Sequence, residues 1–167
     1  MENETEKDTL FDLDPFKAYT EINDETILSS ASQNGDICEQ QFCLDAKKRG
    51  YEVFMPIGHA TKVDVAIKKA SGNLVSVQVK KGFWCNHAKC YMVACGSHGN
   101  RKSRNIGHIP YTYGDFDILA GHIYDLDKWV FLDITAVLKT KRFYRWRPAL
   151  GKPEDNWNIF DPYFSDP

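Results

Sequence analysis

Four polar residues in this chain have the types and the order needed for chemistry on a phosphate ester: Glu39, Asp64, Gln78 and Lys80. Two carboxylates and an amide oxygen form a hard donor set. Mg2+ favours such oxygens, with water and substrate phosphate completing a near-octahedral shell, and Mn2+ is expected to substitute for it. An ammonium two residues after the amide can orient a water and offset charge that builds on phosphorus. Phosphodiester hydrolysis needs those parts: an activated water, a Lewis acid on the phosphoryl oxygen and help for the leaving alkoxide. Taken singly, each residue has an ordinary structural explanation. Asp64 ends a strand or pairs with Lys80 across a hairpin, Gln78 and Lys80 form an exposed polar strand face, and Glu39 completes a capping box with Asp36. Their combination, in this order on these elements, favours a site.

The elements that must position them follow from periodicity. A helix is expected over 37–49, with Asp36 as N-cap and Cys38, Phe42 and Ala46 recurring at i+4. Lys47, Lys48 and Arg49 suit its C-terminal dipole, and Gly50 supplies the stop. Residues 51–57 read as a strand. Residues 62–69 and 74–81 read as a hairpin around Ser71-Gly72-Asn73. Alternation puts Val75, Val77 and Val79 on one face and Ser76, Gln78 and Lys80 on the other. A three-residue turn pairs Asp64 with Lys80 and Ala66 with Gln78. Any even-sum register keeps Asp64, Gln78 and Lys80 on one face, whereas a one-residue slip separates them. Further strands are expected at 90–95, 118–124 and 129–134, with a loop over 96–107 and a short helix over 135–140. That order gives an α/β (α+β) domain around a mixed sheet.

The runs Gly35-Asp36-Ile37-Cys38-Glu39 and Gly50-Tyr51-Glu52-Val53, then Pro56, Gly58, Asp64 and Val77-Gln78-Val79-Lys80, resemble the PD-(D/E)xK nuclease superfamily. Within it they resemble the branch containing cyanobacterial intron-encoded homing endonucleases, in which glutamine replaces the second acid. The resemblance covers roughly 34–134. It implies a restriction-endonuclease-like mixed β-sheet core flanked by helices, Mg2+-dependent cleavage of DNA, and often an oligomer. Carried over by residue, Glu39 matches the helix acid, Asp64 the hairpin acid, Gln78 the variable position and Lys80 the lysine. Glu39, Asp64 and Gln78 are then the metal ligands. Val63 stands where the name-giving proline would be, and neutral Gln78 leaves one negative charge fewer, which should weaken metal binding.

Other clusters invite different chemistry. Cys85, His87, Cys90, Cys95 and His98 lie close in sequence, but their spacing matches no standard zinc motif, and alternate strand residues point apart. They read as reduced thiols, and structural zinc is not expected. Tyr113 and Asp117 are expected to shape the fold, and His108 and Asp115 to be structural or substrate-facing. The basic stretches are the candidate DNA contacts: Lys81 beside the site, Arg101, Lys102 and Arg104 in a glycine-flanked loop, and Lys141, Arg142, Arg145 and Arg147 interleaved with aromatics.

Charge is divided along the chain. Residues 1–36 carry ten acids and two lysines, 37–150 carry eighteen Lys/Arg against nine acids, and 151–167 carry one lysine and four acids. A basic body between acidic ends suits a polyanionic partner. The expected organisation is an acidic N-terminal arm (1–28), a nuclease domain (29–150) and an acidic C-terminal tail (151–167). No apolar run reaches membrane-spanning length, no secretory signal is visible, and five cysteines form no disulfide framework, so a cytoplasmic location is expected. The leading reading is sequence-specific double-strand cleavage by a homodimer or homotetramer. A structure-selective nuclease resembling Holliday junction resolvases and a catalytically inactive DNA-binding relative are the alternatives.

Overall fold

The computed structural model describes residues 24–58, 61–69, 72–98, 108–147 and 155–164. Contacts group the chain into Met1–Asn34 and Gly35–Pro167. Helix α1, Asp24–Lys48, starts in the first unit and ends in the second.

The helix begins at Asp24 rather than near Ile37, so Asp36 lies inside it and is not its cap. A cap-type residue does not stop a helix whose hydrogen bonds already run past it, because extension costs far less than nucleation. The capping-box explanation of Glu39 therefore falls. The C-terminus is as expected. Gly50 takes the left-handed conformation (φ 82°), and the Gly50 and Tyr51 amides bond back to the Lys47 and Ala46 carbonyls at 2.9 and 3.1 Å.

Ten strands follow among the described residues. They are β1 (Glu52–Phe54), β2 (Val65–Lys68), β3 (Val75–Lys81), β4 (Phe83–Cys85), β5 (Cys90–Ala94), β6 (Gly96–His98), β7 (His108–Pro110), β8 (Ile118–Ile123), β9 (Lys128–Asp133) and β10 (Phe143–Trp146). Helix α2 (Ile134–Lys139) lies between β9 and β10, and α3 (Asp161–Phe164) comes last. The main sheet has the order β1-β2-β3-β8-β9, with β3 and β8 parallel and the other neighbours antiparallel. A second sheet runs β10-β5-β4, and β6 pairs with β7. The fold is thus the expected mixed α/β type. The glycine-containing segment after Cys95 departs from the expected loop by forming β6, whose Gly, Ser and His carry no strand-like pattern.

The β2–β3 register differs from the expected pairing by two residues. Val65 faces Val77 and Ala66 faces Ser76, which sets Asp64 opposite Gln78 rather than Lys80. The connection is longer than three residues because it leans on the end of the chain. The Asn73 amide donates to the Tyr163 carbonyl at 3.4 Å, and Gly72 lies against Phe164 so closely that a Cβ would meet its ring at 2.4 Å. The sum stays even, so the sorting of faces survives.

One face of the sheet is dry. Val65, Ile67, Val75, Val77, Val79, Ile118 and Ala120 pack against Cys38, Phe42 and Ala46 of α1. Phe42 is fully buried, edge-on to Trp129 (5.4 Å) and stacked on Trp157 (5.5 Å). Within the expected acidic tail, Trp157, Phe160 and Phe164 close this core. The acids nearby serve as clamps. The Asp155 carboxylate accepts from the Trp129 amide (3.2 Å) and meets Arg49 (3.4 Å), whose guanidinium lies over Trp157. Asp45 accepts from Trp129 Nε1 at 3.0 Å. The opposite face packs a second cluster, in which Leu119, Ile123, Val130 and Leu132 meet Val93, Cys95, Phe116 and Val137.

Candidate active site

The β2–β3 hairpin delivers three of the four predicted residues. Asp64 immediately precedes β2, and its Oδ2 accepts the Val79 amide at 2.8 Å and an N–H from Gln78 Nε2. Gln78 is only 4% exposed. Its Nε2 also lies 3.3 Å from the Val79 carbonyl, so the amide is held at two points. Lys80 is half-buried at the next even position of β3. Burial pushes the Asp64 carboxyl above the usual carboxylate range, against the Val79 hydrogen bond, the Lys80 charge and the Gln78 hydrogen bond, which all favour the ionised form.

Glu39 arrives by a different route. Helix α1 packs on the valine face, opposite the one that carries Gln78 and Lys80. The helix packs on the sheet as its apolar residues require, and the two groups meet beside the start of β2. There Asp36, Glu39 and Asp64 line one cavity of about 190 Å3, closed by Met55, Pro56, Gly58, Thr61 and Val63. Cys38, the neighbour of Glu39, points its Sγ at the Lys80 carbonyl (3.6 Å) and so locks the helix to the end of β3.

The donor chemistry suits a hard cation. Among the described residues no three His, Cys, Asp or Glu side chains gather as a metal cluster. An ion here would rest on two carboxylates, the Gln78 oxygen and water. Both bonds to Asp64 fall on the same oxygen. Gln78 turns its nitrogen toward that carboxylate, so it must reverse its amide to offer oxygen. A buried carboxyl that resists ionisation is one a cation would hold ionised.

Residues 29–155 match the PD-(D/E)XK endonuclease family. The chain belongs to that family. Its fold is also similar to the solved structure of the bacterial homing endonuclease I-Ssp6803I, with a TM-score of 0.65 and 24% identity, over 75% of this chain and 86% of that one. That likeness shows the fold. No curated protein sequence matches this chain. As a PD-(D/E)XK endonuclease the chain is a nuclease with DNA as its substrate, and the family typically uses divalent metals. Among the described residues no helix is long and apolar enough to cross a membrane.

The predicted DNA contacts divide. Lys141, Arg142 and Arg145 line a groove of about 510 Å3 with Met92, Thr140 and Phe143. Arg147 is exposed just beyond β10, and Lys81 is exposed at the end of β3 with its ammonium 5.2 Å from the Tyr124 ring. Arg101, Lys102 and Arg104 lie outside the described residues. Asp117 shapes the fold: its Oδ2 accepts from the Ser76 amide (2.8 Å) and hydroxyl (2.6 Å), joining β8 to β3 beside the site. Tyr113, paired with it in the sequence reading, is 72% exposed. Asp115 accepts from the Thr112 amide (2.8 Å) and meets Lys62 (3.1 Å).

Tyr111 escaped the sequence reading. It is 3% exposed, and its hydroxyl is buried with no hydrogen-bond partner among the described residues. Burial and the nearby Asp64 charge raise its pKa. A tyrosine inside an aromatic-rich run gives no sequence signal of this, since its neighbour Tyr113 looks identical.

Proposed function

We propose that this chain is an Mg2+-dependent DNA endonuclease that makes sequence-specific double-strand cuts, with Glu39, Asp64 and Gln78 as cation ligands and Lys80 as the catalytic ammonium. One observation carries the reading: acids from two separate elements, Glu39 and Asp64, line one cavity, while Gln78 bonds directly to Asp64. The cation would polarise the scissile phosphate and lower the pKa of a bound water. The residues do the rest. The Val79 amide fixes the Asp64 carboxylate in place. Lys80 orients the attacking water and balances charge on the equatorial oxygens. Mn2+ serves in place of Mg2+.

The substrate is double-stranded DNA. Lys141, Arg142 and Arg145 hold its phosphates in the groove, and Lys81, Arg101, Lys102, Arg104 and Arg147 extend the contact. Interleaved aromatics and arginines on β10 favour readout of sequence over recognition of a junction, in keeping with a homing-type role. Cutting both strands needs two sites, so the working species is a homodimer or homotetramer. Action on cellular DNA puts it in the cytoplasm.

The test is incubation of the purified chain with phage and plasmid DNA and with four-way junctions, in Mg2+, in Mn2+ and in EDTA. Discrete fragments with uniform ends from linear duplex, formed only with metal and lost in Lys80→Ala with DNA retention intact, support the reading. Cleavage of junctions alone points to a structure-selective nuclease. Retention of DNA without cleavage in either metal points to an inactive relative.

A further inference from the structure

The β4–β5 hairpin sets two thiols against each other that the nuclease chemistry does not use. Cys85 ends β4, Cys90 opens β5, and the antiparallel register pairs them directly. Residues so opposed share a face, with Cα atoms about 4.5–5.5 Å apart. A disulfide spans Cα separations of about 4.4–6.8 Å, so the backbone need not move. The connecting turn is tight, with Lys89 held at φ 49°.

Exposure divides the pair. Cys85 is half-buried and partly open to a small oxidant, whereas Cys90 beside it is fully buried. The Cys85 sulfur accepts one hydrogen bond, from the Ala88 amide at 3.4 Å, which a side-chain rotation gives up. The other thiols lie elsewhere. Cys38 and Cys43 are on α1, and Cys95, buried past the end of β5, points its Sγ at the Val93 carbonyl (3.8 Å). Cys85 and Cys90 do not gather with His87 as a three-ligand metal site among the described residues. Pairing of β4 with β5 and of β5 with β10 also puts Met92 and Arg145, which line the basic groove, on the same face as the two thiols.

We propose that Cys85 and Cys90 form a redox-modification site, at which a peroxide joins them in a reversible disulfide on the groove-bearing face of the β10-β5-β4 sheet. The Cys85 thiolate attacks the O–O bond, breaking it, and becomes a sulfenic acid as hydroxide leaves. The Cys90 thiolate then attacks that sulfur, the S–O bond breaks, and hydroxide leaves again. The two hydroxides take up the two thiol protons as water. Two thiols are oxidised by two electrons in all, and one peroxide is reduced.

The test uses the full chain treated with hydrogen peroxide, then denatured, alkylated and digested with trypsin without reduction. Cleavage after Lys89 separates the two cysteines, so a bridge joins two peptides. Cys95 shares the Cys90 peptide, and the Cys95→Ser variant removes that ambiguity. We expect the joined peptides in the natural chain and in Cys95→Ser, released by dithiothreitol and absent in Cys85→Ser. A bridge that disappears in Cys95→Ser overturns the proposal. So does Cys85 running on to sulfinic acid while Cys90 remains fully alkylated.

Discussion

The two faces of the β2–β3 hairpin come from the same residues in alternation, yet they do different work. Val65, Ile67, Val75, Val77 and Val79 point to a face sealed by α1 and the C-terminal aromatics. Asp64, Ser76, Gln78 and Lys80 point the other way, where Asp64 is bonded to Gln78 and Ser76 to Asp117. The first face supplies cohesion without demanding hydrogen bonds. The second must satisfy every polar group it buries, and it meets the helix only at the rim, where Glu39 faces Asp64 across a cavity. The proposed catalytic constellation thus sits on a platform whose rigidity is supplied from behind.

Substitutions on the two faces should therefore separate stability from chemistry. The largest effect belongs to the dry face. Phe42→Ala leaves a cavity among Trp129, Trp157 and Phe160, and we expect a loss of about 3–5 kcal/mol in urea unfolding, with normal cleavage by the molecules that remain folded. On the polar face, Lys80→Ala should lower single-turnover cleavage by about 10²–10³-fold while leaving the unfolding midpoint and DNA retention nearly unchanged. A large loss of stability there, or a specific loss of cleavage in Phe42→Ala, would erase the distinction between the faces.

A subtler effect concerns Asp64. Its pKa is raised in the folded chain by burial, so the folded state holds its proton more tightly than the unfolded one. The stability this gives is complete below the unfolded value and is lost as pH rises through the folded value. Without metal at pH 7, Asp64→Asn should therefore unfold at an equal or higher temperature than the natural chain, and the difference should vanish near pH 3. The smallest expected effect lies at the far end of β8. There His122 is 2% exposed beside Trp129, and burial lowers its pKa from 6.5 despite the Asp127 carboxylate 3.3 Å away. The sign is opposite to that of Asp64. Stability should fall as pH drops from 6.5 through the lowered value, and His122→Gln should flatten that part of the melting-temperature profile.

The same contrast explains what the sequence reveals. Alternation of valines with Ser76, Gln78 and Lys80 makes the hairpin and its sorting of faces legible, because burial of one face admits no odd slip. The pairing was not legible to within two residues, because the connection rests on Asn73–Tyr163 and Gly72–Phe164 contacts across the whole chain. The start of α1 was missed because Asp36 and Glu39 mimic a capping box inside a running helix. Trp157, Phe160 and Phe164 read as part of an acidic tail because the surrounding acids dominate composition, whereas packing follows the aromatics. Residue type, order along the chain and the family resemblance together named Glu39 and Asp64. That they line one cavity depends on Met55, Pro56, Gly58, Thr61 and Val63, which close it and carry no periodic signal.

Whether Glu39 and Asp64 hold one cation together can be read directly by titrating Mn2+ into the natural chain, Glu39→Gln and Asp64→Asn and following the free ion by electron paramagnetic resonance, with circular dichroism confirming the fold. We expect one site per chain, weakened at least about tenfold in each variant, in line with what loss of a ligand's support costs elsewhere. Unchanged Mn2+ binding in both folded variants, or DNA cleavage that proceeds undiminished in EDTA, would contradict the site.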